Sequence, residues 1–335
     1  MAREIYSISH ISEILKAKSF LPHPQSDIKM LLTDSRTVID PERSLFFAIT
    51  AQRDGHTFIA DAYKNGVRNF VISDHAYAEI YNDANFLIVA NVVKAMQDLA
   101  AYNRKINDLK VIGITGSNGK TIVKEWLYQL LAADFNVVRS PKSFNSQIGV
   151  ALSVWQILPE HNLGIFEAGI SRAGEMDNLA AIINPTIGIL TNIREAHAEG
   201  FEDASAKLKE KLKLFKNAEL FIYSPEYVSG INEADLPGAN KFSWSMSAAA
   251  DLKVDFIEPI EGRSYIRAVY QNKEIECLIP FVDHAAVENG IICWATLLAL
   301  GYTPEQADLR LEKLSHVSMR LELKNGINQC SIIDD

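Results

Sequence analysis

Residues 111 to 121 read Val-Ile-Gly-Ile-Thr-Gly-Ser-Asn-Gly-Lys-Thr, a β-branched apolar run that breaks into a glycine-rich turn and ends in Lys120-Thr121. The stretch demands a buried strand, a tight loop and a helix in succession, the opening of an α/β nucleotide-type domain. Small residues let the backbone curl so that several N–H groups face one anion, and a helix expected over residues 122–133 adds its positive N-terminal end. Lys120 is then placed to hold β- and γ-phosphates, and the Thr121 hydroxyl to ligate magnesium. The usual phosphate loop has four residues between its first glycine and its Gly-Lys, whereas Gly113 to Gly119 encloses five. This is a variant loop, anchored by Gly116, Ser117, Asn118, Gly119, Lys120 and Thr121. A glycine-rich surface turn is the plainer alternative, and the strand before, the helix after and the Lys-Thr pair argue against it.

At 335 residues the chain exceeds ordinary single-domain size, so two domains are expected. The polar residues 107–110 before the apolar strand mark the seam, giving domains at 1–108 and 109–335. A net charge of −9 excludes general nucleic-acid binding, so an anionic ligand needs a local site. The cysteines, Cys277, Cys293 and Cys330, are few, odd in number and far apart. That suits neither a disulfide framework nor a zinc site, and a reducing cytoplasm is the expected compartment. Residues 1–10 lack the basic start and apolar core of a signal peptide. The longest apolar stretch, residues 291–300, is about half a membrane span and reads as a buried helix, so no membrane span is expected.

The first domain reads as a small α/β unit, with helices at 8–17, 58–65 and 92–104 and strands at 44–49, 70–72 and 86–90. The second continues with a strand at 135–139, a loop at 140–149, a helix to about 158, a strand at 163–169, a helix at 174–183, a strand at 186–190 and a lysine-rich helix at 204–215. Residues 219–279 change to short alternating runs, as in antiparallel strands decorating the sheet. Helices at 285–300 and 304–314 and a hairpin of 320–323 with 330–335 complete the pattern. The fold class is α/β, a small N-terminal unit followed by a phosphate-loop domain with a mainly parallel sheet and helices on both faces.

Among the polar residues, Asp34-Ser35-Arg36 and Asp54-Gly55-His56 read by themselves as turn chemistry. Glu167 closes an apolar strand one over from the phosphate loop. There, open parallel sheets place ligand-binding side chains, and a magnesium–nucleotide site needs a second acidic ligand. His197, after the strand 186–190, reads equally well as a satisfied loop histidine or a ligand. On the helix after it, Lys207, Lys209, Lys211 and Lys213 alternate, and taken alone they read as a solvated basic face.

Through these residues the chain resembles the Mur ligases of peptidoglycan synthesis over essentially its whole length, as the first two of that family's three domains. Thr115-Gly-Ser-Asn-Gly-Lys-Thr121 is similar to the family's ATP motif, and Val123-Lys124-Glu125 extends it. Residues 143–150, centred on Asn145, resemble the loop that faces nucleotide and substrate. Phe166-Glu167-Ala-Gly169 resembles the strand that supplies a magnesium-binding glutamate. Residues 192–201 resemble the segment carrying the second metal's histidine, His197. Lys211, fourteen residues on, has the spacing of the family's carbamylated lysine. Ser35 and Arg36, with Asp54-Gly55-His56, resemble a UDP-substrate-binding domain. Arg320 and Asp335 resemble the pair that contacts the nucleotide, as does Asn289, although Ala285 and Ala286 stand where the family usually has a His-Asn pair.

The resemblance implies an ATP-dependent amide ligase acting through an acyl phosphate, in the branch that adds D-alanyl-D-alanine to UDP-MurNAc-tripeptide. Its alternatives are a MurE-like or folylpolyglutamate synthase-like enzyme, or a nucleotide- and UDP-binding module without turnover. It implies two magnesium ions, one held by Thr121 and Glu167 and the other by His197 and carbamylated Lys211, and it moves Lys211 from a solvated face to a metal site. It also implies a third ligase domain beyond residue 335, and in some members of the branch a fused alanine racemase.

Overall fold

The computed structural model describes residues 6–193, 201, 203–317, 322–325 and 331–334. Packing divides the chain into two compact units. One comprises Met1–Val111, Val138–Ile170 and Gly174–Asn184; the other comprises Ile112–Val137, Ser171–Ala173 and Pro185–Asp335. Residues 138–170 thus fall in the same compact unit as the N-terminal residues.

In the first unit a five-stranded sheet runs in the order Lys18–Phe20, Asn85–Ile88, Asn69–Ile72, Ser44–Phe47 and Met30–Leu32. The last four strands are parallel and Lys18–Phe20 is antiparallel. Register places Phe46 beside Phe70 and Phe70 beside Phe86. Their rings meet at 6.2 and 5.2 Å in the centre of the core, which is why these strands read as unbroken apolar runs. The three apolar strands were anticipated. Lys18–Phe20 is exposed at every position and Met30–Leu32 is three residues long, so neither offers a periodic signal.

Helix Val92–Ile106 ties residues 147–184 to the N-terminal part through two adjacent side chains. Buried Asn103 accepts from the Tyr6 hydroxyl at 2.9 Å and donates to the carbonyls of Val154, Trp155 and Ile157 at 3.2, 3.3 and 3.1 Å, at the end of helix Gln147–Val154. Arg104, also buried, donates to the carbonyls of Ile183 and Asn184 at the end of helix Glu175–Ile183, and to those of Asn107 and Leu109 in the segment leading out of its own helix. Four carbonyls, two of them at a helix C-terminus, satisfy the guanidinium; burial pulls its pKa below the ordinary arginine value, and the nearby Asp108 charge offsets part of that.

The second unit is built on parallel strands in the order Lys110–Thr115, Ile187–Leu190, Leu220–Tyr223 and Asn240–Ser245. Leu252–Ile260 joins in parallel, and Arg263–Tyr270 and Lys273–Ile279 continue as an antiparallel meander. This corrects the expectation of antiparallel strands from residue 219, because Leu220–Tyr223 and Asn240–Ser245 extend the parallel sheet. Each is only four to six residues long, too short for its pattern to reveal its direction. Helix His284–Ala299 is capped by Asp283 and buries nearly all of its second half, so residues 291–298 are core. Pro304–Leu311 opens with a reciprocal Thr303–Gln306 capping box. Glu322–Asn325 pairs antiparallel with Ser331–Asp334, as the expected hairpin requires. Among the described residues no helix is long and apolar enough to cross a membrane.

Arg104→Met keeps the apolar stem but strands four carbonyls. The variant should lose roughly 2–3 kcal/mol by urea denaturation, and hydrogen exchange should open helix Glu175–Ile183 first. Unchanged exchange there would show that water replaces the guanidinium without cost.

Candidate functional site

The phosphate-loop strand and Ile187–Leu190 run parallel with Thr115 opposite Leu190, so the two strands end together. Loop 116–119 therefore lands against residues 191–192. The Ser117 N–H donates to the Asn192 carbonyl at 2.7 Å, and the Asn118 N–H donates to Asn192 Oδ1 at 3.0 Å. The Thr191 hydroxyl donates to the Asn118 carbonyl at 2.6 Å. Two glycines are required by this fit. At Gly116, φ +154°, a Cβ would stand 1.9 Å from Thr191 Oγ1, and at Gly119, φ +80°, it would stand 2.2 Å from Asn289 Oδ1. The same fit puts Asn289 against the loop, where the sequence reading expects a nucleotide contact.

Helix Lys120–Leu131 starts two residues earlier than expected, with Gly119 as its N-cap and no side chain capping it. Lys120 Nζ donates to the carbonyls of Gly116 and Ser117 at 3.1 and 3.2 Å. From helix Ala204–Leu212, Lys211 Nζ donates to the same Gly116 carbonyl at 2.7 Å. Lys211 is only 3% exposed, and among the described residues it forms no ion pair. Burial, and then the charges of Lys120 and Lys207, pull its pKa down from 10.5 to about 7. The alternating lysines are therefore not one solvated face: Lys209 is exposed and Lys213 pairs with Glu210 at 2.8 Å, while Lys211 turns inward. At neutral pH the site holds one buried amine poised between charge states beside a second lysine.

In the first unit Glu167 ends strand Leu163–Glu167 fully buried, and its N–H meets Ser140 Oγ at 3.4 Å. The Gly169 N–H donates to the Asn145 carbonyl at 2.8 Å, so the loop bearing Asn145 folds onto the end of that strand. Arg36 grips Asp34 through Nε and Nη2 at 2.9 and 2.7 Å, which holds the Asp34 carboxyl down at about 2 and leaves the guanidinium largely solvated. Ser35 is buried and its carbonyl accepts from Asn65 Nδ2 at 2.9 Å. Asp54 caps the short 3-10 helix Gly55–Phe58 and binds His56 Nδ1 at 2.7 Å, while the Ser73 N–H donates to His56 Nε2 at 3.0 Å. The turn chemistry expected for these motifs is present. His197, Arg320 and Asp335 lie outside the described residues. Among the described residues no group of three or more His, Cys, Asp or Glu side chains converges as a metal cluster.

Thr191 and Asn192, which hold the loop, went unread as functional, as did Glu288 beneath Asn192. Position alone offered a signal for the first two, since they directly follow the strand paired to the phosphate-loop strand.

The Mur ligase middle domain matches residues 114–297. The chain belongs to the Mur ligase family. A UDP-N-acetylmuramoyl-tripeptide--D-alanyl-D-alanine ligase of Rickettsia prowazekii is 31% identical over 257 residues, covering 73% of this chain and 56% of the relative. The chain thus spans about half the length of such curated relatives. A crystal structure of MurF from Acinetobacter baumannii superposes with a TM-score of 0.86 at 25% identity, covering 100% of this chain and 74% of that one. The fold is shared also with MurF ligase from Thermotoga maritima in complex with ADP, TM-score 0.77 at 21% identity, covering 91% of this chain and 70% of that one.

Two outcomes test this geometry. Gly116→Ala should destabilise by roughly 1–3 kcal/mol more than Gly174→Ala, where a Cβ meets nothing within 4 Å. Equal losses by denaturant titration would mean the loop yields freely. In carbon dioxide-free buffer, the lowered Lys211 pKa means that between pH 7 and 10.5 the unfolded chain binds a proton the native chain does not. Its contribution to stability should therefore rise with pH across that window and be flat below it. Lys211→Met should remove that slope, and an unchanged slope would return Lys211 to an ordinary pKa.

Proposed function

We propose that the chain forms the UDP-substrate-binding and ATP-binding part, residues 1–108 and 109–335, of a cytoplasmic ATP-dependent amide ligase of the MurF type. The reaction is addition of D-alanyl-D-alanine to UDP-MurNAc-tripeptide in peptidoglycan synthesis. The observation that carries the reading is the convergence of Lys120 and Lys211 on the Gly116 carbonyl at the open N-terminus of helix Lys120–Leu131. Two lysines and a helix end focused on one loop favour a polyphosphate. The names of the curated relatives favour this branch over a MurE-like or folylpolyglutamate synthase-like enzyme.

In this reading the terminal carboxylate of the tripeptide attacks the γ-phosphate of ATP, and the P–O bond to ADP breaks. The amine of the dipeptide then adds to the resulting acyl phosphate and expels phosphate through a tetrahedral intermediate. Phosphoryl transfer of this kind asks for alignment and charge neutralisation rather than a protein nucleophile. Lys120 neutralises the β- and γ-oxygens, and the loop N–H groups and helix end orient them. Gly116, Ser117, Asn118, Gly119 and Thr121 line the phosphates, with Asn289, Arg320 and Asp335 toward the nucleoside. Ser35 and Arg36 serve the UDP end of the substrate, and Asn145 its peptide end.

The donor chemistry suits magnesium. Thr121 and Glu167 offer hard oxygen ligands to one ion. Lys211, buried and with its pKa lowered to about 7, would be a nucleophile for carbon dioxide, and its carbamate with His197 would hold the second. Bound magnesium would supply charge neutralisation on the transferring phosphoryl group. Because the relatives are longer, the remaining ligase domain, with or without a fused alanine racemase, is where the dipeptide amine is expected to bind. Residues 1–335 alone should bind without turnover.

Calorimetry tests this directly. UDP-MurNAc-tripeptide and Mg-ATP should each bind, and Lys120→Ala should weaken only ATP, by at least tenfold. ATP binding without any UDP-linked ligand would overturn the substrate assignment. With 13C-bicarbonate, a carbamate resonance that Lys211→Met abolishes is expected, and its absence from the parent would remove the carbamylated ligand.

A further inference from the structure

Beneath the loop lies a buried acid that the reaction does not use. Glu288, in helix His284–Ala299, is 2% exposed, and its Oε1 accepts from the Tyr227 hydroxyl at 2.5 Å and from Asn192 Nδ2 at 3.4 Å. Among the described residues it forms no ion pair. Asn192 in turn accepts from the Ser117 and Asn118 N–H groups through its carbonyl and its Oδ1. An asparagine amide can face either way, with its oxygen or its nitrogen toward a given neighbour. A carboxylate oxygen accepts, so Glu288 Oε1 takes the Asn192 nitrogen and turns the amide oxygen toward the Asn118 N–H. Were the amide reversed, Nδ2 would face that N–H donor to donor, and the oxygen would face the carboxylate. The Tyr227 hydroxyl, donating to the same oxygen, fixes the carboxylate in turn.

We propose that Glu288, steadied by Tyr227, is a positioning residue that sets the orientation of the Asn192 amide and so preforms the phosphate loop. It acts through Asn192 and touches no substrate. The inference rests on reading residues 115–121 as the nucleotide phosphate loop, and it gives that loop a specific source of rigidity. A loop held in its binding shape before the ligand arrives loses less entropy on binding. The helix presenting Glu288 also presents Asn289 to Gly119, so one helix turn braces the loop from two sides.

A double-mutant cycle tests it in two readouts. In nucleotide-free protein, Glu288→Gln leaves the volume but lets the amide turn either way, and it should speed hydrogen exchange at the Asn118 amide by roughly tenfold. Asn192→Ala should do at least as much, and the double variant no more than Asn192→Ala alone. Affinity for Mg-ATP should follow the same non-additive pattern, each single variant losing roughly three- to tenfold. Tyr227→Phe should give a smaller effect in the same direction. Additive effects, or Asn118 exchange unmoved by Glu288→Gln, would overturn the proposal. A parent that fails to bind ATP would instead sink the nucleotide reading, and the exchange cycle would still decide whether Glu288 positions the loop.

Discussion

The structure turns on the carbonyl oxygen of Gly116, which accepts from Lys120 at 3.1 Å and from Lys211 at 2.7 Å. Burial first, and then repulsion from Lys120 and Lys207, lower the pKa of the inner lysine to about 7. That arrangement costs folding free energy, which an anion bound at the loop would offset. The rest of the second unit serves it. Parallel pairing of Lys110–Thr115 with Ile187–Leu190 brings Thr191 and Asn192 under the loop, and helix His284–Ala299 backs it with Asn289 and Glu288.

The first unit is fastened instead by side chains that donate to backbone carbonyls. Asn103 and Arg104, neighbours on one helix, gather seven carbonyls between them and fasten residues 147–184 to the N-terminal part. The loop bearing Asn145 and the strand ending in Glu167 are fixed to each other within that unit, through the Gly169 N–H. The positions proposed to face substrate and metal thus sit on packed scaffold, consistent with sites that demand preset geometry.

Much of this was legible because strong local signals coincide. The strand, glycines and Lys-Thr of residues 111–121 specify their own conformation, and the apolar runs around Phe46, Phe70 and Phe86 could only be buried. Lys211 shows the limit. Its alternation with Lys207, Lys209 and Lys213 looks like a solvated face, and only the helix's placement against Gly116 reveals which lysine turns inward. The family spacing singled it out where periodicity did not. The strands at Leu220–Tyr223 and Asn240–Ser245 were misjudged because direction is a property of pairing, which no short run carries. Asn192 and Glu288 were unread for the same reason: an amide and an acid 96 positions apart acquire meaning only when the sheet and helix set them side by side.

The most direct test is a crystal structure of this chain with magnesium and a non-hydrolysable ATP analogue. The account predicts that the β- and γ-phosphates lie in loop 116–121 with Lys120 Nζ on their oxygens rather than on the carbonyls of Gly116 and Ser117. A nucleotide bound elsewhere, or a Lys120 that keeps its carbonyl bonds beside bound phosphates, would contradict it.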